Sequence, residues 1–334
     1  MIRAIVIAFL FLIIACSDTT GPSFQQYSRI SVIETSTGSI VANIELSPTL
    51  NRKIIVTPDG RYAYVTSYDG DNIIQIDCLS NTISGGLDFG YYEHCLDLCT
   101  NDQGTELYAT SGDELFIIDI PSLTVTDTVQ INWPCIMDVS LRPGTGLVYI
   151  WIAGISEVGT VVIDVEQGEV VDTLSHEAIN PAFSETGNEL YISDYTQIIC
   201  LDPDTDEEIA SADLDKVITD ICIVPGSNTM YVSWETSLAA EGGVLALDRN
   251  TLAVTNSLDL AYRATHLCYI PVLNILYIGI TSGICDSRIM VVDLPGLVQS
   301  DEIVINPWLM DMVSDPSGDY VYCNIYMDNR TGSM

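Results

Sequence analysis

Seven polar residues, Lys53, Asp97, Asp138, Asn180, Asp220, His266 and Asp311, each stand eleven positions ahead of a tyrosine. Each sits among apolar neighbours such as Ile54, Leu98, Val139, Ile221, Leu267 and Met312, as expected where an inner strand begins. If the seven face a common axis, two kinds of chemistry are open to them. Carboxylates with Asn180 and His266 would supply the several oxygen-rich ligands that a hard divalent cation such as Ca²⁺ takes. Opposite sides of a ring are too far apart to share one ion, so a cation needs adjacent members. Asp220, His266 and Asp311 form the leading set, and Asp97, Asp138 and Asn180 the second. The simpler expectation is structural: each carboxylate accepts backbone N–H groups from the next unit and is satisfied without a ligand. Lys53 suits that reading as a partner for Asp97.

Other side chains fall around the same positions. Two residues further on come Ile55, Cys99, Ser140, Ala182, Cys222, Cys268 and Val313, all small or slender, so Cys99, Cys222 and Cys268 are expected as packing thiols. Just ahead of the inner strands lie Tyr91, Tyr92, Trp133, His176, Tyr262 and Trp308, which would rim one face and suit contacts with sugar, peptide or protein, or else pack there as a plug. Asp202-Pro203-Asp204-Thr205-Asp206 mimics a calcium loop but lacks the downstream bidentate Glu, and reads as a solvated acidic turn. The sequence contains no GxSxG, HExxH, P-loop or dinucleotide fingerprint, and its three histidines leave few general acid–base candidates.

The elements that must carry these residues follow from a repeat. Tyrosine-centred strands recur at Tyr64, Tyr108, Tyr149, Tyr191, Tyr231, Tyr277 and Tyr322, about 43 residues apart on average. Four residues before most of them is a turn glycine, such as Gly60, Gly104, Gly187 or Gly318. A second anchor, Asp77, Asp119, Asp164, Asp202, Asp248 or Asp293, ends the following apolar strand. The last repeat lacks its outer pair of strands, and Ile30–Glu34 with Ser39–Leu46 would supply them. The expected fold is therefore all-β: a seven-bladed β-propeller of four-stranded blades spanning 28–328, closed by N- and C-terminal strands sharing one blade.

Val56-Thr57-Pro58-Asp59-Gly60-Arg61-Tyr62-Ala63-Tyr64-Val65-Thr66-Ser67, followed by Asn72 to Asp77, resembles the YVTN-type β-propeller repeat, with Ser67 where the name-giving motif has Asn. The resemblance is strong in the first blade and rests on spacing in the others. It implies an exported or surface propeller used for binding, and it carries no universal catalytic residue.

The N-terminus supplies an address. Arg3 precedes an apolar run from Ala4 to Ala15, the length of a signal-peptide core and short for a membrane span. Its end, Ile13-Ile14-Ala15-Cys16, resembles the lipobox of bacterial lipoproteins, which makes Cys16 the expected site of lipidation. Residues 1–16 are then signal peptide and lipobox, 17–27 a flexible tether, and 329–334 a short tail. Ser17 after the cysteine suggests the outer membrane. Nine cysteines remain, an odd number with neither CxxC nor Cys/His zinc spacing; Cys95 and Cys135 are the one pair placed for a bridge.

Composition narrows the partners. Asp and Glu number 46 against 11 Lys and Arg, a net charge of −35, while 48% of residues are hydrophobic. Such a chain folds, yet repels phosphates and anionic lipid, which excludes nucleic acid and confines membrane contact to the lipid anchor. The leading expectation is a monomeric, lipid-anchored envelope propeller, non-catalytic and with no cofactor, that binds an envelope protein, peptide or glycan through its loop-rich face. The competing expectation is a metal-dependent hydrolase of lactonase-like type with a cation at the channel mouth. A third treats the acidity as adaptation to salt, independent of any ligand.

Overall fold

The structure is a computed structural model describing residues 26–46, 51–67, 72–89, 95–131, 136–153, 158–174, 176, 179–236, 241–281, 287–305 and 308–328. The described residues begin with two strands, β1 (Gln26–Glu34) and β2 (Ser39–Glu45). Blade 1 follows as β3 (Asn51–Val56), β4 (Tyr62–Ser67), β5 (Asn72–Asp77) and β6 (Thr82–Asp88). Blade 2 is β7 (Cys95–Thr100), β8 (Glu106–Ser111), β9 (Glu114–Asp119) and β10 (Thr124–Gln130), and blade 3 is β11 (Ile136–Leu141), β12 (Leu147–Ala153), β13 (Val158–Asp164) and β14 (Glu169–Leu174). Blade 4 comprises β15 (Ile179–Phe183), β16 (Leu190–Asp194), β17 (Gln197–Asp202) and β18 (Glu207–Asp213); blade 5 comprises β19 (Val217–Ile223), β20 (Thr229–Glu235), β21 (Gly242–Asp248) and β22 (Val254–Leu260). Blade 6 contains β23 (Arg263–Ile270), β24 (Ile275–Thr281), β25 (Ser287–Asp293) and β26 (Val298–Val304). The last two described strands are β27 (Trp308–Ser314) and β28 (Tyr320–Asp328).

These make seven antiparallel four-stranded sheets, the seven-bladed propeller that the repeat implies. The seventh has the order β2-β1-β28-β27, with Gln26 paired to Asp328 and Glu34 to Tyr320. The two termini therefore share one blade, as expected from the missing strands of the last repeat. Pairing β28 with β1 removes an edge that would otherwise lie open.

The hydrophobic core sits between blades rather than inside one. All seven repeat tyrosines are buried, and each belongs to a cluster with the following blade. Tyr64 packs with Leu98, Leu107 and Ala109, while Tyr322 packs with Ile54, Ala63 and Val65 and so spans the closure. Several of their hydroxyls reach polar groups: Tyr149 donates to the Pro203 carbonyl at 3.2 Å, and Tyr322 to that of Cys78 at 3.5 Å. An amphipathic ring fits this wedge because its body is apolar and its tip needs a partner.

The outer turns repeat as closely. Four residues after each of Glu34, Asp77, Asp119, Asp164, Asp202, Asp248 and Asp293 stands a residue with φ between 50° and 67°: Gly38, Asn81, Leu123, Gly168, Asp206, Leu252 and Leu297. Asp77, Asp119 and Asp248 each accept backbone N–H bonds from within the turn, from Ser80, Ser122 and Thr251 respectively. The anchoring aspartates of the sequence are thus turn caps.

Candidate functional site

Each inner strand carries a register shift just before its ring position: between Asn51 and Ile54, Cys95 and Asp97, Ile136 and Asp138, Ile179 and Ala182, Ile218 and Asp220, Ala264 and His266, and Leu309 and Asp311. A β-bulge re-aims the side chains beside it. The seven bulges therefore stand at the seven polar residues.

Three carboxylates of the ring link neighbouring blades in the same way. Asp97 accepts from its own Leu98 N at 2.8 Å and from Val139 N of blade 3 at 2.7 Å. Asp220 accepts from Ile221 N at 2.8 Å and Leu267 N of blade 6 at 2.7 Å. Asp311 accepts from Met312 N at 2.9 Å and Ile54 N of blade 1 at 3.0 Å. By the same register, Asp138 would meet position 181, which is a proline without an N–H. Asp138 instead neighbours Asp97, whose carboxyl is pushed well above the usual carboxylate range, first by burial and then by that like charge. Lys53 is held strongly in its charged form by Asp97 above all, with Asp311, Asp138 and Asp220 adding to the effect against the cost of burial. Its ammonium is the ring's internal counter-ion.

Burial pushes Asp220 up to about 7, against the pull of its two backbone donors. His266 is pushed down by burial and lies with Nδ1 2.9 Å from Thr265 Oγ1. Asn180 takes a left-handed φ of 53° and its Nδ2 approaches Ser193 Oγ at 3.4 Å. Among the described residues, no group of three or more His, Cys, Asp or Glu side chains is arranged to hold a metal ion. Cys99, Cys222 and Cys268 are free thiols, all pushed up chiefly by burial. They are poor nucleophiles in that state.

Of the expected rim, Tyr91, Tyr92 and Trp133 lie outside the described residues, as do Cys16 and Cys135. Trp308 is half-buried and stacks on Tyr326 with centroids 5.5 Å apart. Tyr262 is half-buried against the cluster between blades 5 and 6. His176 lies with Nδ1 2.9 Å from Asp206 Oδ1. The acidic turn 202–206 does more than face water: Asp204 receives both Nη1 and Nη2 of Arg142, at 2.6 and 3.0 Å, while Arg142 Nε donates to the Gly187 carbonyl at 2.7 Å. That fork clamps blade 3 to blade 4.

A pocket of about 490 Å³ opens over blade 5, lined by Lys216, Trp234, Thr236, Glu241, Asp259, Leu260 and Ala261. Lys216 and Ala261 belong to the connections leading into and out of the blade, Thr236 and Glu241 to its β20–β21 connection, and Trp234, Asp259 and Leu260 to the adjoining strand ends, so the pocket lies on the loop-rich face. Lys216 Nζ sits 3.1 Å from the centroid of the Trp234 ring. Gly243 makes room for that indole, since a Cβ there would come within 2.8 Å of Trp234 Cζ2. Sequence reasoning missed this site. Its signal was a tryptophan at a position where other blades carry Ser67, Ser111, Ile152, Asp194, Ile280 and Ile325, together with the Gly242-Gly243 pair opposite.

No family model matches the sequence, and no curated protein matches it. Solved structures do resemble it. A chain of Kuenenia stuttgartiensis hydrazine synthase aligns with a TM-score of 0.68 at 14% identity, over 83% of this chain and 94% of that one. The Cps50 (Swd1) β-propeller domain of Myceliophteria thermophila gives 0.67 at 10% identity, over 82% and 95%. A chain of a mitotic checkpoint complex gives 0.69 at 12% identity, over 93% and 96%. At such identities the likeness establishes the fold alone, and the fold is a β-propeller.

Proposed function

We propose that this chain is a non-catalytic binding or scaffold protein of the bacterial cell envelope, which holds a protein, peptide or glycan on its loop-rich face. In this reading it belongs with the YVTN-type propellers, and Cys16 carries the lipid that tethers it, at the outer membrane where the organism has one. The observation that carries the binding reading is the pocket over blade 5, on the face where Trp308 and Tyr262 also lie. A concave, partly aromatic surface with a few polar groups is what ligand recognition commonly uses. The likeness to a chain of a mitotic checkpoint complex, a multiprotein assembly, supports a scaffold role in general terms. The ring favours binding over metal-assisted hydrolysis, because Asp97, Asp220 and Asp311 already spend both oxygens on backbone donors.

The test is capture from envelope extract by the wild-type chain and by Tyr262→Ala and Trp308→Ala variants. The expected result is a defined partner whose recovery drops at least several-fold in one or both. Equal recovery by all three would overturn the assignment of this face. Labelling with a radioactive fatty acid should mark the wild-type chain and leave Cys16→Ser unmarked.

A further inference from the structure

We propose that the pocket over blade 5 is a receptor for a lysine or arginine side chain of a basic peptide segment, and that Lys216 is its built-in competitor. The inference deepens the binding reading above and rests on it. The pocket already holds a cation: the Lys216 ammonium lies on the face of the Trp234 indole, where the ring's negative quadrupole attracts it. Glu241 and Asp259 contribute carboxylates to the same walls, and Thr236 a hydroxyl. An anionic guest would face these two carboxylates and the field of a chain with net charge −35, so cationic guests are selected. The indole is almost wholly covered, at 4% exposure, and its Nε1 has no hydrogen-bond partner. This is an aromatic floor seated by a glycine and capped by one flexible side chain.

Lys216 is only half-buried, and it lines a space of about 490 Å³, far larger than an ammonium. A second cation cannot join it at the ring without like-charge repulsion, so binding is exchange: the peptide's side chain takes the indole and Lys216 swings into water. The competent state is the one with Lys216 displaced, and the apparent affinity is reduced by the fraction of time that Lys216 is seated. This fixes an unusual sign. Removing an ordinary lining residue weakens binding, whereas removing Lys216 should strengthen it.

The experiment titrates the full chain with an acetylated, amidated Gly-Lys-Gly peptide and follows heat and tryptophan fluorescence. Its controls are the Nε-acetyl-lysine version of the peptide and the Arg61→Met variant, which removes one exposed charge elsewhere. Lys216→Met should bind the lysine peptide roughly threefold to tenfold tighter than wild type, the range that a cation–π competitor of ordinary strength implies. Arg61→Met should match wild type, the acetylated peptide should not bind, and Trp234→Phe should weaken binding while leaving the circular dichroism unchanged. Unchanged or weaker binding by Lys216→Met would overturn the proposal, as would equal tightening by Arg61→Met, which would reduce the effect to net charge. If Tyr262→Ala or Trp308→Ala abolishes partner capture while Lys216→Met changes nothing, the binding face stands and only this pocket's role falls.

Discussion

At the scale of single residues, the ring joins mechanical linkage to titration. Asp220 spans two blades through Leu267 N, yet burial raises its pKa to about 7. In the unfolded chain the same carboxyl titrates at about 3.9. Between those values the folded chain keeps a proton that the unfolded chain has released, so this group's contribution is greatest below about pH 4, declines as pH rises towards 7, and is level above that. Asp97 and Glu235, also raised chiefly by burial, act in the same direction. Denaturation midpoints should therefore fall from pH 5 to pH 8. Asp220→Asn should be less stable than wild type at pH 5 by about 1–3 kcal/mol, because an amide NH₂ would replace one acceptor facing a backbone donor. Its deficit should shrink by pH 8, where the wild-type carboxylate pays for ionisation; a pH-independent gap would contradict the assignment. The spacing of eleven located all seven ring members. It did not disclose which of them lock, since that depends on bulges and on the amide offered by the next blade; Pro181 was the one local clue.

At the scale of elements, the turns between the outer strands hold three leucines in left-handed backbone, Leu123, Leu252 and Leu297. A non-glycine residue there costs about 1–2 kcal/mol. Packing explains why leucine is kept: Leu252 is 1% exposed and joins the cluster between blades 4 and 5, and Leu297 joins that between blades 5 and 6. Each reaches back onto the preceding blade, as Gly38 does beside Asp301 and Ile303. Leu252→Ala should cost about 2–5 kcal/mol, since it discards the packing and retains the strained backbone. Leu252→Gly discards the same packing but relieves the backbone, so it should be the milder change, the reverse of the usual order of alanine and glycine. Equilibrium unfolding of both variants checks the ranking. The aspartates opening these turns were legible because a short acceptor before a turn caps it. The leucines were not, because their side-chain packing overrides a backbone preference that sequence alone assigns to Gly or Asn.

Taken whole, the molecule is a ring of interfaces under an unbalanced charge. Most of the nine described basic side chains are engaged with acidic or aromatic groups: Arg142 with Asp204, Arg249 with Glu185 and Glu189, Arg288 with Glu302, Arg263 with Glu235, Lys53 in the ring and Lys216 on Trp234. What faces outward is then predominantly carboxylate. Screening should relieve that repulsion, so the melting temperature should rise as salt goes from low concentration to about 0.5 M, where the Debye length falls well below 10 Å. A flat response would mean that surface repulsion is negligible. Blade number and closure were readable from the 43-residue period because each blade must bury the same kind of face against the next. The pocket over blade 5 was not readable, being built from what one blade does differently.

The shared seventh blade sets an order of events. Gln26 must find Asp328 before the circle is complete, and until then β1 has no neighbour for one of its two margins. Assembly cannot finish blade by blade as the chain emerges; it waits for the far end to arrive. A circle joined in this way gains its closing interface only when both partners of the shared blade are present.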